Sequence, residues 1–132
     1  AEMAPHDVTE EGEFCWNELM TSDASAAFKF YSDLFGWKIV EEMDMGPMGS
    51  YEMFGRSAQS LGGMMNKVDD MANLPTAWLL YFKVDGADAA AARVKANGGA
   101  VLNGPMEVPG GDWILQCKDP QGGAFALHAK KR

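Results

Sequence analysis

At 132 residues, with 47% hydrophobic and 23% charged side chains, the chain has the size and composition of one globular domain whose core needs neither a disulfide nor a structural metal. A net charge of −8 argues against a broad phosphate-binding surface, so neither nucleic acid nor an anionic membrane is expected as a partner. No apolar run approaches the ~18 residues of a membrane span, and two cysteines, Cys15 and Cys117, without a secretory leader ahead of them read as reduced thiols of a cytoplasmic protein.

Residues 1–12 lack the basic and apolar regions of a signal peptide and are expected to be a polar lead-in. The domain is expected over 13–132. Residues 14–21, which include Cys15, Trp16 and Glu18, read as a first strand. Asp23 or Ser22 then caps a helix, because a short side-chain acceptor satisfies the free N–H groups of the first turn. Ala27, Phe30, Tyr31, Leu34 and Phe35 recur at three- and four-residue spacings and form one apolar stripe. Gly36 ends the helix. Residues 37–40 read as a second strand, 43–49 as a turn-rich loop, 50–54 as a third strand, and 60–66 as a weaker fourth, softened by Gly62 and Gly63. Residues 67–76, polar and containing Pro75, form the expected linker.

The pattern then restarts. Residues 78–84 are strongly strand-like. Asp85 or Asp88 opens an Ala-rich helix that Gly98 and Gly99 end. Strands follow at 100–102, 113–117 and 124–128, with a loop at 104–111 and a tight Asp119-Pro120-Gln121-Gly122-Gly123 turn. Lys130, Lys131 and Arg132 read as a solvated tail. An Asp followed thirteen residues later by a Gly thus occurs twice, at Asp23/Gly36 and Asp85/Gly98, with an offset near 62 residues. The order is βαβββ twice: module one at 13–66 and module two at 77–129.

Thr21-Ser22-Asp23 leads to Phe30-Tyr31-Ser32-Asp33-Leu34-Phe35-Gly36-Trp37. Val84-Asp85 leads to Asn97-Gly98-Gly99, and Asp119-Pro120-Gln121-Gly122 precedes Phe125-Ala126-Leu127. On these stretches the chain resembles the glyoxalase/bleomycin-resistance/dioxygenase (vicinal oxygen chelate) superfamily, nearest its glyoxalase-like branch. The resemblance implies an α+β fold in which two βαβββ modules curve into an open, cup-like mixed β-sheet barrel with the helices outside. It also implies a site on the concave face, and slightly favours a homodimer. Metal-dependent members take one His, Gln or Glu ligand from the first and last strand of each module, since a divalent ion needs several convergent lone pairs. Counted from the Asp and turn motifs, those positions hold Trp16, Leu79, Ala126 and one of Gly63, Met64 or Met65. No metal and no cofactor is therefore expected.

Period-two alternation extends the lining. Trp16 brings Glu18 and Met20; Leu79 brings Tyr81 and Lys83; Ala126 brings Ala124 and His128. The expected ligand-binding set is Trp16, Glu18, Met20, Tyr51, Met64, Leu79, Tyr81, Trp113 and His128, aromatic and Met-rich as small-molecule pockets are. Glu18 reads either as a solvated or Lys83-paired carboxylate near a strand end, or as a catalytic base or cation anchor between apolar walls. His128, four residues from the end of the sequence, reads either as a plain strand-end residue or as a surrogate ligand or base at the rim. Trp16 and Tyr81 either pack or stack on a flat ligand. Met43, Met45, Met48, Met53, Met64 and Met65 read as core and loop filler, as an adaptable pocket wall, or as a thioether copper site. Both cysteines lie in strand-like segments and read first as small buried hydrophobes. The function expected is binding of a small aromatic or cationic molecule; the alternative is a metal-dependent or carboxylate-based lyase, isomerase or dioxygenase.

Overall fold

The computed structural model describes residues 10–67 and 75–132; most of the expected lead-in and of the expected linker lies outside them. The elements are β1 (Phe14–Thr21), α1 (Ala24–Phe35), β2 (Lys38–Asp44), β3 (Ser50–Gly55), β4 (Gly62–Asn66), β5 (Ala77–Lys83), α2 (Ala87–Ala96), β6 (Ala100–Glu107), β7 (Trp113–Lys118) and β8 (Ala124–Ala129). The fold is α+β, with two βαβββ modules and a mixture of parallel and antiparallel pairs. Two compact units are present: Asn17–Leu79, and residues 10–16 together with Leu80–Arg132.

In the first unit the strand order is β2-β3-β4-β1, with β1 and β4 parallel and the other pairs antiparallel. Helix α1 starts at Asp23, whose Oδ1 accepts from Ala26 N at 3.0 Å, and ends at Gly36 in the left-handed region (φ 72°). Asn66, at the end of β4, accepts from Ala24 N at 2.7 Å and so ties the first turn of the helix to the sheet. The core lies between them: Leu19, Phe54 and Met64 from the strands meet Ala24, with Ala27, Phe28, Tyr31 and Trp37 packed around. The expected stripe of α1 therefore splits. Ala27 and Tyr31 face the core, whereas Phe30, Leu34 and Phe35 remain 59%, 57% and 49% exposed. Ala24 and Phe28 take the inner positions, because the small residues of the first two turns let the helix approach closely there.

In the second unit the order is β5-β8-β7-β6, with β5 and β8 parallel. Helix α2 buries Ala87, Ala90 and Ala91 against Leu115, Cys117, Leu127 and Ala129. Its start corrects the expected repeat. Neither Asp85 nor Asp88 caps it; the N-cap is Gly86, which has no side chain to do so. Instead Ala87 N and Asp88 N donate to the carbonyls of Lys131 (3.1 Å) and Arg132 (2.8 Å). Residues 130–132 are thus no free tail. Arg132 also pairs with Asp88 at 3.2 Å and lays its guanidinium 5.1 Å from the centre of the Trp113 ring. The described end of the lead-in is held too: Gly12 N donates to Lys83 O and Lys83 N to Glu13 O, while Glu11 pairs with Arg93.

Two strands outrun their expected limits. β2 continues to Asp44, and β6 continues to Glu107 through Gly104-Pro105. Register shifts on either side of Asn103 let β6 pass its proline, which has no N–H to offer a ladder.

Both cysteines are buried free thiols. Burial pushes the Cys15 thiol from 9.0 up to about 11, partly opposed by the nearby Lys83 charge, and pushes Cys117 up as well. Ellman's reagent at pH 8 should leave both unmodified in the folded protein and label both in denaturant. The folded state holds the Cys15 proton more tightly than the unfolded one. Its contribution is therefore complete below pH 9 and lost as pH rises from 9 towards 11, which thermal melts across that window check.

On the helix side of the first sheet, Glu42 and Glu52 are directly paired across β2 and β3. Partial burial raises the Glu52 carboxyl above its usual 4.5, and a hydrogen bond and like charge from Glu42 raise it further. A raised carboxyl favours folding at acid pH, and that benefit is lost as pH climbs through the raised value. Glu52→Gln should therefore raise Tm at neutral pH, with the gain vanishing below about pH 4. Equal gains at both pH values would refute the assignment.

Candidate functional site

Each helix covers one face of its own sheet, so strand alternation hands the other face a separate set of side chains. In the first unit the registers Glu18↔Gly63, Met20↔Met65, Tyr51↔Met65 and Met53↔Gly63 put Glu18, Met20, Tyr51, Met53 and Met65 on the face opposite α1. Glu18 is only 7% exposed. With Thr21 it is one of two polar or charged groups in the buried class among the described residues, and it is engaged by neighbouring groups. Burial removes the solvated reading of this carboxylate.

Gly63 is what makes room beside it. A Cβ at Gly63 would collide with the phenol oxygen of Tyr51, so the Tyr51 hydroxyl lies over the residue paired directly with Glu18. On the other face, a Cβ at Gly62 would meet the Asn17 carbonyl and the Phe54 ring. The glycine pair that weakened the expectation of a strand here is a place of close approach on both faces of one. Met64, expected in the lining, is corrected: alternation sends it under α1, where it is 1% exposed, and Met65 takes its place. Among the rest of the expected set, Met20 and Tyr51 share the Glu18 face. Leu79, half-buried, lies two residues before Tyr81 in β5, and Trp16, half-buried, lies two before Glu18 in β1.

In the second unit the registers Tyr81↔Ala126, Gln116↔Ala126, Lys83↔His128 and Ile114↔His128 place those six residues on the face away from α2. Tyr81 is buried at 2% exposure, and Ala126 between it and Gln116 is fully buried. Asn103 Nδ2 donates to Gln116 Oε1 at 3.2 Å. His128 Nε2 lies 3.1 Å from Asp112 Oδ2, with side-chain exposures of 14% and 26%. Trp113 is corrected: it lies on the opposite face, packed against the α2 core under Arg132. Asn103, Gln116 and Asp112 escaped the sequence reading. Alternation within 113–117 would have flagged Gln116, a polar residue between buried Leu115 and Cys117; no local signal marks Asn103 or Asp112.

The donor chemistry does not fit the divalent centre of the metal-dependent relatives. The helix-free face of the first unit offers the buried Glu18 carboxylate, the exposed Glu41 carboxylate on β2, a phenol and thioethers. That of the second offers a phenol, two amides, a lysine and an imidazole already held by Asp112. Among the described residues no three His, Cys, Asp or Glu side chains converge. Soft thioethers without a partner thiolate or imidazole on the same face do not favour copper either.

The profile of the Glyoxalase/Bleomycin resistance protein/Dioxygenase superfamily matches residues 14–127. The chain is 33% identical over 120 residues to the candidate glyoxylase CFP32 of Mycobacterium tuberculosis, a match covering 91% of this chain and 45% of that protein. It is 32% identical over 127 residues to the anthracycline biosynthesis protein DnrV of Streptomyces peucetius, covering 87% of this chain and 46% of that one. The chain thus spans less than half the length of these curated relatives. Methylmalonyl-CoA epimerase from Mycobacterium tuberculosis superposes with a TM-score of 0.63 at 17% identity, covering 89% of this chain and 87% of that one; this likeness speaks for the fold alone. No helix among the described residues is long and apolar enough to cross a membrane. The duplicated βαβββ order, the family profile over most of the chain and the identity to CFP32 agree: the chain belongs to the Glyoxalase/Bleomycin resistance protein/Dioxygenase superfamily.

Proposed function

We propose that this protein binds a small aromatic or cationic molecule on the helix-free face that carries Glu18, and does so without the metal centre of its metal-dependent relatives. The observation that carries the reading is a buried carboxylate that shares its face with Met20, Met43, Met53, Met65 and the Tyr51 ring. Thioethers and a phenol shape themselves to flat ligands, and an anion in an apolar setting attracts a cation more strongly than one in water. The anthracycline biosynthesis named for one relative supports an aromatic ligand. Leu79, in the same unit, is a further candidate for ligand contact, and Trp16, Tyr81 and His128 are candidates within the second unit taken by itself. The two buried thiols support a reducing, cytoplasmic setting.

Burial also suits Glu18 to act as a general base, so a carboxylate-based lyase or isomerase is the second reading.

Titration with a panel of aromatic amines, read by Trp fluorescence, tests the first reading. Saturable binding is expected, and Glu18→Gln should weaken it about 10- to 100-fold, the value of a charge-assisted contact of roughly 1.5–3 kcal/mol. Gly63→Ala, which displaces the Tyr51 phenol, should weaken it as well. A panel with no saturable ligand, or affinities indifferent to Glu18→Gln, would overturn the assignment. Loss of a catalysed turnover by about 100-fold or more in Glu18→Gln, with ligand affinity retained, would instead establish the base.

A further inference from the structure

The helix-free face of the second unit carries polar side chains that the Glu18 reading does not use. The strand registers align them in two rows. One row runs Lys83, His128, Ile114, Met106 from β5 across β8 and β7 to β6, and the next runs Tyr81, Ala126, Gln116, Asn103. The family resemblance puts a metal-ligand position at Ala126, in the second row. The Lys83 row lies two residues further along the strands, off that position. Lys83 is half-buried, and among the described residues no carboxylate pairs with it. The carboxylate of this face, Asp112, is engaged by His128 instead, with Oδ2 3.1 Å from Nε2.

We propose that the Lys83 row binds a small aromatic carboxylic acid as its anion, with Lys83 pairing with the carboxylate and the His128 ring and Ile114 receiving the aromatic body.

Three observations select this ligand. The first is charge. The chain carries −8 overall, yet the helix-free side of β5 to β8 bears Lys83 and, exposed at the far end of β7, Lys118, against the single carboxylate of Asp112. An ammonium with part of its water displaced attracts an anion more strongly than one in open water. The second is the type of donor. Gln116 Oε1 accepts from Asn103 Nδ2 at 3.2 Å, so what the Gln116 side chain still offers is its Nε2 donor. Ammonium and amide donors call for an acceptor ligand. A single half-buried ammonium, with no arginine in β5 to β8 to add a bidentate fork, suits a carboxylate monoanion better than a phosphate dianion. The third is spacing. Neighbouring strands lie ~4.8 Å apart, so the row from Lys83 to Ile114 spans about 10 Å. That is the reach of one aromatic ring plus its carboxylate and a contact at each end. Asp112 fixes the imidazole in the middle of this span, and half-buried Ile114 and Met106 continue it as an apolar wall. A flat ring held by one charge and otherwise lying on imidazole and aliphatic carbon loses little water that is not replaced.

Titration with benzoate at neutral pH tests the proposal, with benzamide as its uncharged counterpart. The chain has two histidines, His6 and His128, so the imidazole proton signals are few enough to follow by NMR, and His128→Gln identifies those of His128. Benzoate should shift the His128 signals saturably, and benzamide should bind at least about tenfold more weakly. Lys83→Met should weaken benzoate binding about 10- to 100-fold, while Lys83→Arg, which keeps the charge, should restore most of it. Lys83 holds residues 12–13 through its backbone N and O, which the substitution leaves in place, and an unchanged far-UV spectrum checks that the variant folds. Gln116→Ala, further across the face, should cost less than Lys83→Met. The Glu18 face is tested with aromatic amines and Glu18→Gln, so failure with benzoate and failure with amines are separate results. The absence of a saturable His128 shift, equal affinity for benzoate and benzamide, or a folded Lys83→Met that binds benzoate as the parent does would each overturn the proposal.

Discussion

In each unit a single helix lies against a single sheet, and that contact governs the rest of the structure. Once Leu19, Phe54 and Met64 are committed to α1, the two-residue period of the strands commits Glu18, Met20, Tyr51 and Met65 to the other side. Once Leu115, Cys117 and Leu127 are committed to α2, Tyr81, Gln116 and His128 follow in the same way. A one-residue slip in β1 or β4 would exchange a buried carboxylate for a core leucine, a cost large enough to pin the register. The position of the candidate site is therefore a by-product of helix packing. A mutation that loosens the helix contact should reach the site without touching it.

The halves repeat an architecture but not a chemistry. In the first, a strand glycine leaves space that a phenol fills beside a buried carboxylate. In the second, a small alanine is flanked by a phenol and an amide, with an imidazole and its aspartate one step along. Even the helix starts differ. Asp23 caps α1 with its own side chain, whereas α2 borrows backbone carbonyls from residues 131–132. Duplication supplied the frame, and each copy has since met the same physical requirements, orphan N–H groups included, with different atoms.

Much of the frame was legible. The Asp-to-Gly spacing, the glycine at the end of α1 and the period-two runs located both helices and the eight strands of the described residues, because those signals are local and strong. Alternation also put Glu18 and Met20 on one face of β1, Tyr81 and Lys83 on one face of β5, and Ala126 and His128 on one face of β8. It failed wherever a neighbouring strand had to be known. Met64 and Met65 are equivalent by composition, and only the pairing with Glu18 and Tyr51 separates them. Trp113 reads as a pocket aromatic until its strand is set against β8 and Arg132 folds over it. The stripe of α1 was real, but its width exceeded the surface available beneath it, and that excess stays exposed.

By itself the sequence determined the two-fold βαβββ plan and the limits of α1. These depend on residue identity and on spacings within one element, which a linear chain carries in full. Only the tertiary structure decided which methionine joins Glu18, that Gly63 yields its space to Tyr51, that Asp112 holds His128, and that the last residues close α2. Each of these joins residues separated by many others in the chain, and such pairs are chosen by packing and by hydrogen bonds between elements, which leave no local trace.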